Sequence, residues 1–350
     1  VAVDFGTDGT ALAYSFPGGQ DVYVFNKWRI ANRSGSKHTA KPRTAILLEK
    51  TGKFKAFGVN ALTGYGAIED SEDLLFDHFK MALYNNDLTG EHGKLKQGLK
   101  SHIRAMNGKS MKASVVFIAA FQHIKKQVLD KIQSDYKRRD IELNITSIND
   151  IQWIMTIPAI WSNDAKLKML KWIAEAGLIN PNIKDHCLLK YEPDCASVSL
   201  QYELLNETIY KNNTSAKPSK YVVNDNNLFD YDCKANSDLK GKKYILIDAG
   251  GGTVDIACHQ FMENYSVKEL FYPTGGPWGD INIDNEFENI LNNILGNDVF
   301  QSIKNEDENA YFDLMQNFKR AKINFNGKNK INIILPDDFI DEIDREIGIE

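Results

Sequence analysis

The sequence predicts a mixed α/β protein built from two similar halves with a cleft between them, and three observations carry that prediction. Two distant stretches, "VAVDFGTDGTALAYSF" at the start and "YILIDAGGGTVDIACHQF" at 244–261, share one outline. Each runs through an apolar strand, an Asp, small residues with Gly and Thr, and a second apolar strand. Between them, over 151–204, apolar strands alternate with amphipathic helices, which is the pattern of helices packed on a sheet. A polar segment, 206–243, then separates the two halves.

Within the first 60 residues, "VAVDF", "ALAYSF", "VYVFN", "TAILLE" and "FKAFG" are short apolar or alternating runs split by Gly, Asn, Pro and Lys, and read as strands. Over 71–84, "SEDLLFDHFKMALY" has the apolar spacing of a helix, with Ser71 and Asp73 near its start. The strongest helix is predicted over 111–138, where Phe117, Phe121, Ile124, Val128 and Ile132 recur at steps of three and four. "IQWIMTIP" reads as a strand ending at Pro158, and "SNDAKLKMLKWIAEAGL" as a helix with polar capping residues at its start and Gly177 at its end. "HCLLKY" follows as a strand, then a helix over 193–204 whose Pro suits the first turn.

The asparagine- and lysine-rich 206–243 has too few periodic apolar residues for a packed element and reads as a surface insertion. Strands resume with "YILID", "TVDIACHQF" and "YSVKELFY", and helices are predicted over 283–295 and 309–324. The expected organisation is a first lobe over 1–205, an insertion over 206–243, and a second lobe over 244–350 that is incomplete at its C-terminal end.

A net charge of −5 supplies no attraction for polyanions, and the longest apolar run, "ASVVFIAAF" at 113–121, is too short to span a bilayer. Neither nucleic acid nor a membrane is therefore expected as a partner. Cys187, Cys195, Cys233 and Cys258 show no C-x-x-C spacing, so free thiols in a reducing, cytoplasmic compartment are expected. The first residue is Val1 and not Met, which leaves open what precedes it.

A β-hairpin with glycines at its tip lets backbone N–H groups approach a phosphate, because no Cβ blocks the way. Gly250, Gly251 and Gly252 supply such a tip, with Thr253 as a hydroxyl donor and Asp248 at the strand end, placed to face a metal-bound water. Asp4, Gly6, Thr7, Gly9 and Thr10 supply the same set at the N-terminal copy. Two such hairpins across a cleft would grip the phosphates of a nucleotide and hold Mg²⁺ through waters. Neither stretch is a Walker loop or a dinucleotide fingerprint, because each glycine run leads into a strand and not a helix.

These residues resemble a family. "DAGGGTVD" is similar to the second phosphate motif of the 70-kDa heat-shock chaperones, and "VDFGTDGT" to their first. "IMTIPAIWSNDAKLKMLKWIAEAGL" resembles their connecting strand and helix, "LLKYEPDCASVSL" the helix start that follows, and "GGPWGDINIDNEFENIL" the glycine-rich turn after the second loop. "DFGT", Phe57-Gly58, "LFDHFKMALY" and "GGPWGD" look most like the atypical heat-shock 70-kDa protein 12 branch. The resemblance implies a bilobed actin-like ATPase fold, two duplicated ribonuclease H-like domains around a nucleotide cleft. It implies ATP or ADP with Mg²⁺ as ligands, slow ATP hydrolysis, and a co-chaperone or other protein as partner.

Carried over by resemblance, Asp4 and Asp248 would hold metal-bound water with Asp255 supporting the metal shell, and Asp248 would orient the attacking water. Lys80 would reach the γ-phosphate, and Glu192 would link the chemistry to lobe movement. Gly279 in the glycine-rich turn, with Lys319 and Lys322 on the helix of the adenine pocket, would contact the nucleotide. Three departures stand beside these roles. Asp8, in the first loop with Gly9, puts a carboxylate where the family has a hydroxyl, and would repel a triphosphate unless it turns away or meets metal. Ile323 replaces an arginine that stacks on the base. The G-G motif and the peptide-binding sandwich that the resemblance would add do not fall within the 350 residues given. The alternatives to a slow ATPase are a nucleotide-sensing pseudo-ATPase and a small-molecule kinase of the same superfamily.

Overall fold

The computed structural model describes residues 1–16, 22–25, 28–30, 37–39, 41–65, 72–84, 101–138, 148–201, 240–262, 266–306 and 308–348. The insertion expected over 206–243 lies outside the described residues up to 239, as do Cys233 and the last residues of the helix expected over 193–204.

The first lobe is organised by one five-stranded sheet. Its members in chain order are β1 (Ala2–Phe5), β2 (Thr10–Tyr14) and β3 (Tyr23–Val24). A two-stranded ribbon, β4 (Trp28–Ile30) and β5 (Lys37–Thr39), follows. A second sheet is built from β6 (Ala45–Leu48), β7 (Phe54–Phe57) and, after α1 (Val59–Tyr65), β8 (Leu74–Asp77), in the order β7-β6-β8. A 3₁₀ turn over Phe79–Leu83 and a small ribbon, β9 (His102–Arg104) and β10 (Ser110–Lys112), lead into α2 (Ala113–Arg138). Then come β11 (Trp153–Ile157), α3 (Asn163–Glu175), β12 (Cys187–Tyr191) and α4 over 192–201. The first sheet has the order β12-β11-β1-β2-β3, with β1, β11 and β12 parallel and the β1–β2–β3 meander antiparallel.

The helical period read from the sequence is what buries α2. Phe117, Phe121, Ile124, Val128 and Ile132 are its buried stripe, and they meet Val3, Phe5 and Leu12 of the sheet in one core. Ser162 caps α3 by accepting from Ala165 N at 3.2 Å, and Gly177, at φ +75°, turns the chain back at its end.

The second lobe opens on an antiparallel sheet of β13 (Lys243–Ala249), β14 (Val254–Phe261) and β15 (Val267–Gly276). Four helices follow: α5 (Ile281–Leu295), α6 (Asn297–Glu306), α7 (Glu308–Asn324) and α8 (Asp337–Ile347). They pack on a core of their own around Leu291, Phe300, Ile303, Leu314 and Phe339. The two lobes also share a small apolar cluster, where Phe312 of α7 meets Tyr65 of α1 and Leu47 and Leu75 of the second sheet.

One predicted element is corrected. The helix expected over 71–84 is strand β8 followed by a single 3₁₀ turn. Leu74, Leu75 and Phe76 are all buried because β8 is sandwiched, so a contiguous apolar run imitated helical spacing. His78 then takes a left-handed conformation, φ 52°, which ends the strand and starts the turn.

Candidate phosphate-binding cleft

The two glycine stretches form hairpin tips of the same construction. In the first, Phe5 pairs with Thr10 and Gly6 N donates to Gly9 O at 3.1 Å. In the second, Ala249 pairs with Val254 and Gly250 N donates to Thr253 O at 2.9 Å. This register makes Asp4 and Asp248 equivalent positions, each one residue before the pair that closes the loop. The tips meet directly. A Cβ on Gly251 would come within 2.6 Å of Asp8 Cβ, and one on Gly252 within 2.6 Å of Thr7 Oγ1. These two glycines are required by close approach. Gly279 backs the second tip, since a Cβ there would strike the Gly251 and Gly252 backbone at 2.5–2.6 Å. The following amides bind the tip as well, Asp280 N to Gly250 O at 3.1 Å and Ile281 N to Gly251 O at 2.9 Å.

Around the tips the structure gathers Asp4, Lys80, Glu192, Asp248 and Asp255. Lys80 is buried, not the solvated residue that helical spacing would suggest. Its Nζ donates to Glu192 Oε1 at 2.5 Å and lies 5.4 Å from the Trp161 ring centroid. Burial pushes the Glu192 carboxyl above its ordinary range, and Lys80 offsets this in part. Asp4 accepts from Lys41 Nζ and from Thr156 Oγ1, both at 2.8 Å. Burial works against its charge, yet Lys41 prevails and holds Asp4 below the usual carboxylate value. Asp248 is pushed up by burial and by Asp4, and no hydrogen bond or ion pair engages it among the described residues. Asp255 is also pushed up by burial. It accepts from Ala159 N at 2.7 Å, which ties the first lobe to the second. Among the described residues no three His, Cys, Asp or Glu side chains converge to ligate an ion directly.

The Asp8 carboxylate is answered by neighbours that the sequence did not single out. Arg43 pairs with it, and Arg43 also engages Asp77 at 3.0 Å and His78 Nε2 at 2.8 Å. The hydrogen bond from His78 is the largest influence holding Asp8 low, with burial opposing it and Arg43 reinforcing it. The carboxylate that threatened a phosphate is thus turned into an ion network. Lys319 continues that network to Asp77 at 3.3 Å and Asp284 at 3.8 Å, while Lys322 bonds Asp280 at 2.7 Å and Asp284. The two lysines expected in the adenine pocket are therefore engaged by carboxylates, and Ile323 beside them is 80% exposed. Thr7, Thr10 and Thr253 are buried at the tips, with Thr10 Oγ1 2.8 Å from Thr44 Oγ1.

Lys41, Arg43, Asp77, His78, Thr156 and Trp161 are among the site neighbours that sequence reasoning missed. None lies in a glycine motif, and the available signal was the pair of cations flanking Pro42 in a segment otherwise read as loop.

No family model matches the sequence. Similarity to individual proteins is extensive. The chain is 32% identical to mouse heat shock 70 kDa protein 12A over 377 residues, covering 97% of the chain and 52% of that protein. The chain is a relative of the heat shock 70 kDa protein 12 group. The human 12A protein is also 32% identical, over 371 residues, and human 12B is 28% identical over 380 residues and 99% of the chain. The chain spans about half the length of these 12A and 12B relatives. Solved structures that align with it include MreB5 of Spiroplasma citri bound to ADP, with a TM-score of 0.42, 10% identity, and coverage of 99% of this chain and 82% of that one. MreB 5 bound to AMPPNP aligns with a TM-score of 0.41 and 11% identity, over 98% of this chain and 81% of that one. With two hairpin-led lobes meeting at their tips, this relative of the protein 12 group has a mixed α/β, two-lobed architecture.

Proposed function

We propose that the chain is a nucleotide-binding, ATPase-like domain that takes ATP or ADP with Mg²⁺ between its two hairpin tips and hydrolyses ATP slowly. The observation that carries this reading is Asp248. It is a half-buried carboxylate with no hydrogen bond among the described residues, beside a glycine tip and within the field of Lys80 and Lys41. An unspent acceptor of raised pKa in that position suits orienting a water for in-line attack on a terminal phosphate. Lys80, held by Glu192, supplies a fixed positive charge, and the tip amides and Thr7 and Thr253 supply donors.

The donor set fits a hard divalent cation, since Asp4, Asp248 and Asp255 offer oxygen ligands only. With no three-ligand cluster among the described residues, such an ion would be held there through its own waters. It would neutralise charge on the phosphate chain. Because the tips touch, phosphates enter only if Gly251 and Gly252 separate from Thr7 and Asp8. The free thiols Cys187, Cys195 and Cys258 suit a reducing, cytoplasmic setting. No helix among the described residues is long and apolar enough to cross a membrane.

A second reading, a nucleotide sensor without turnover, draws on the occupied lysines Lys319 and Lys322 and on exposed Ile323. Single-turnover measurement separates the two. Under saturating Mg-ATP the wild type turns over slowly, and Asp248→Asn lowers that rate by about a hundredfold while an ADP-dependent thermal shift persists. Wild-type turnover equal to the buffer blank, with the thermal shift intact, would establish the sensor.

A further inference from the structure

We propose that Trp161 is a positioning residue of the cleft, whose ring holds the buried Lys80 ammonium in place and leaves it a donor for the terminal phosphate of a bound nucleotide. This rests on the nucleotide reading above. An ammonium carries three N–H donors and accepts nothing. Lys80 is 2% exposed, so bulk water does not satisfy those donors, and among the described residues its hydrogen-bond partner is Glu192. Its Nζ lies over the Trp161 ring, 5.4 Å from the centroid, and that ring is itself buried. A ring face attracts a cation through its quadrupole, and more strongly where water is excluded. Two neighbours therefore hold the ammonium, and only the carboxylate takes up a conventional hydrogen bond. A donor is left over for a ligand oxygen.

The ring is anchored independently of the lysine it faces. Trp161 stands in the turn between β11 and α3, where its N donates to Pro158 O at 3.3 Å and its neighbour Ser162 caps α3. Its side chain belongs to the first-lobe core. Lys80, by contrast, projects from the short 3₁₀ turn over Phe79–Leu83 on a flexible four-carbon stem. One carboxylate bond leaves such a stem free to pivot about the bond, and the ring supplies the second point that stops the pivot. The two points come from separate elements, Glu192 at the start of α4 and Trp161 ahead of α3. A plain core role for Trp161 predicts a similar outcome for any smaller apolar side chain. A ring-face role separates aromatic from aliphatic replacements, and acts only through Lys80.

The test is calorimetric titration of AMPPNP and of ADP, each with Mg²⁺, into the whole chain for wild type, Trp161→Phe, Trp161→Leu, Lys80→Met and the Trp161→Leu/Lys80→Met double variant. Trp161→Leu should weaken AMPPNP about tenfold, as expected for losing a hydrogen bond to a charged group, and ADP much less, since ADP lacks the terminal phosphate. Trp161→Phe keeps a ring face and should stay close to wild type for both ligands. Lys80→Met should show the same AMPPNP-selective loss, and adding Trp161→Leu to it should change little further. Trp161→Met, closer in bulk, takes the place of Trp161→Leu if the latter does not fold. Equal AMPPNP affinity of the aromatic and aliphatic variants, equal loss for AMPPNP and ADP, or full additivity with Lys80→Met overturns the role of Trp161 and leaves nucleotide binding standing. Absence of binding of either ligand by the wild type overturns both.

Discussion

The two hairpin tips share a backbone and differ in charge. Both close through the same four-residue turn, and both place an Asp one residue before the closing pair. Yet Asp4 and Asp8 of the first tip are held below their usual values, while Asp248 and Asp255 of the second are pushed above them. Burial raises Asp248 and Asp255, whereas at Asp4 it is outweighed by Lys41 and at Asp8 by the His78 hydrogen bond with Arg43 beside it. The surroundings of the tips differ as well. The first is strapped by the segment that carries Lys41 and Arg43, whereas the second is backed by the amides of Gly279, Asp280 and Ile281. Duplicated backbone therefore does not imply duplicated chemistry. One tip presents carboxylates already paired with cations, and the other presents carboxylates that no ion pair engages among the described residues.

The largest expected effect comes from removing the cation that disarms the first tip. Arg43→Met leaves Asp77 buried without its guanidinium, and should cost about 3 kcal/mol in urea unfolding. Adding Asp77→Asn should restore part of that loss, because the buried charge, by then held only by Lys319 and the His78 amide among the partners described, is gone. Full additivity of the two substitutions would show that Arg43 does not stabilise through Asp77, leaving its contacts with Asp8 and His78 to account for the loss.

A smaller effect tests contact between the tips. Gly252→Ala places a methyl within 2.6 Å of Thr7 Oγ1 and closer still to Met81 Sδ, and should destabilise by about 1–3 kcal/mol. Gly9→Ala meets mainly the flexible stem of Lys41 and should cost less, so equal losses would mean that the tips do not touch.

The smallest effect reads the charge difference itself. A carboxyl with a raised folded pKa penalises the fold at neutral pH, and the penalty disappears as pH falls through that value towards the unfolded one, about 3.9. Asp248→Asn should therefore raise the melting temperature at pH 7 and lose that advantage near pH 4. A carboxyl with a lowered folded pKa stabilises at neutral pH and loses its contribution only as pH falls below the unfolded value. Asp4→Asn should accordingly lower the melting temperature at pH 7, with a deficit that shrinks only in strong acid. Same-sign shifts for the two variants at pH 7 would erase the contrast between the tips.

Much of this architecture was legible in the sequence because it rests on local rules. The α2 stripe from Phe117 to Ile132, the Ser162 cap, and the strand–glycine–strand outline of each tip are short-range patterns. What misled was β8, whose apolar residues are buried together for a tertiary reason and so copied a helical period. Helices α6 and α8 also passed unread, since 297–306 and 337–347 are rich in polar residues and bury few apolar ones each.

From the sequence alone came the duplication, the two glycine tips and the carboxylates Asp4, Asp248 and Asp255, because glycine freedom and strand periodicity are properties of neighbouring residues; Glu192 came by the family resemblance of its motif. The tertiary structure alone decided that Lys80 is buried against Glu192, 112 residues away, and that Asp8 is neutralised by Arg43. It also decided that Lys41 lies over the first tip. Charge acts through space, and the ionisation of a carboxylate depends on which cation the fold brings beside it.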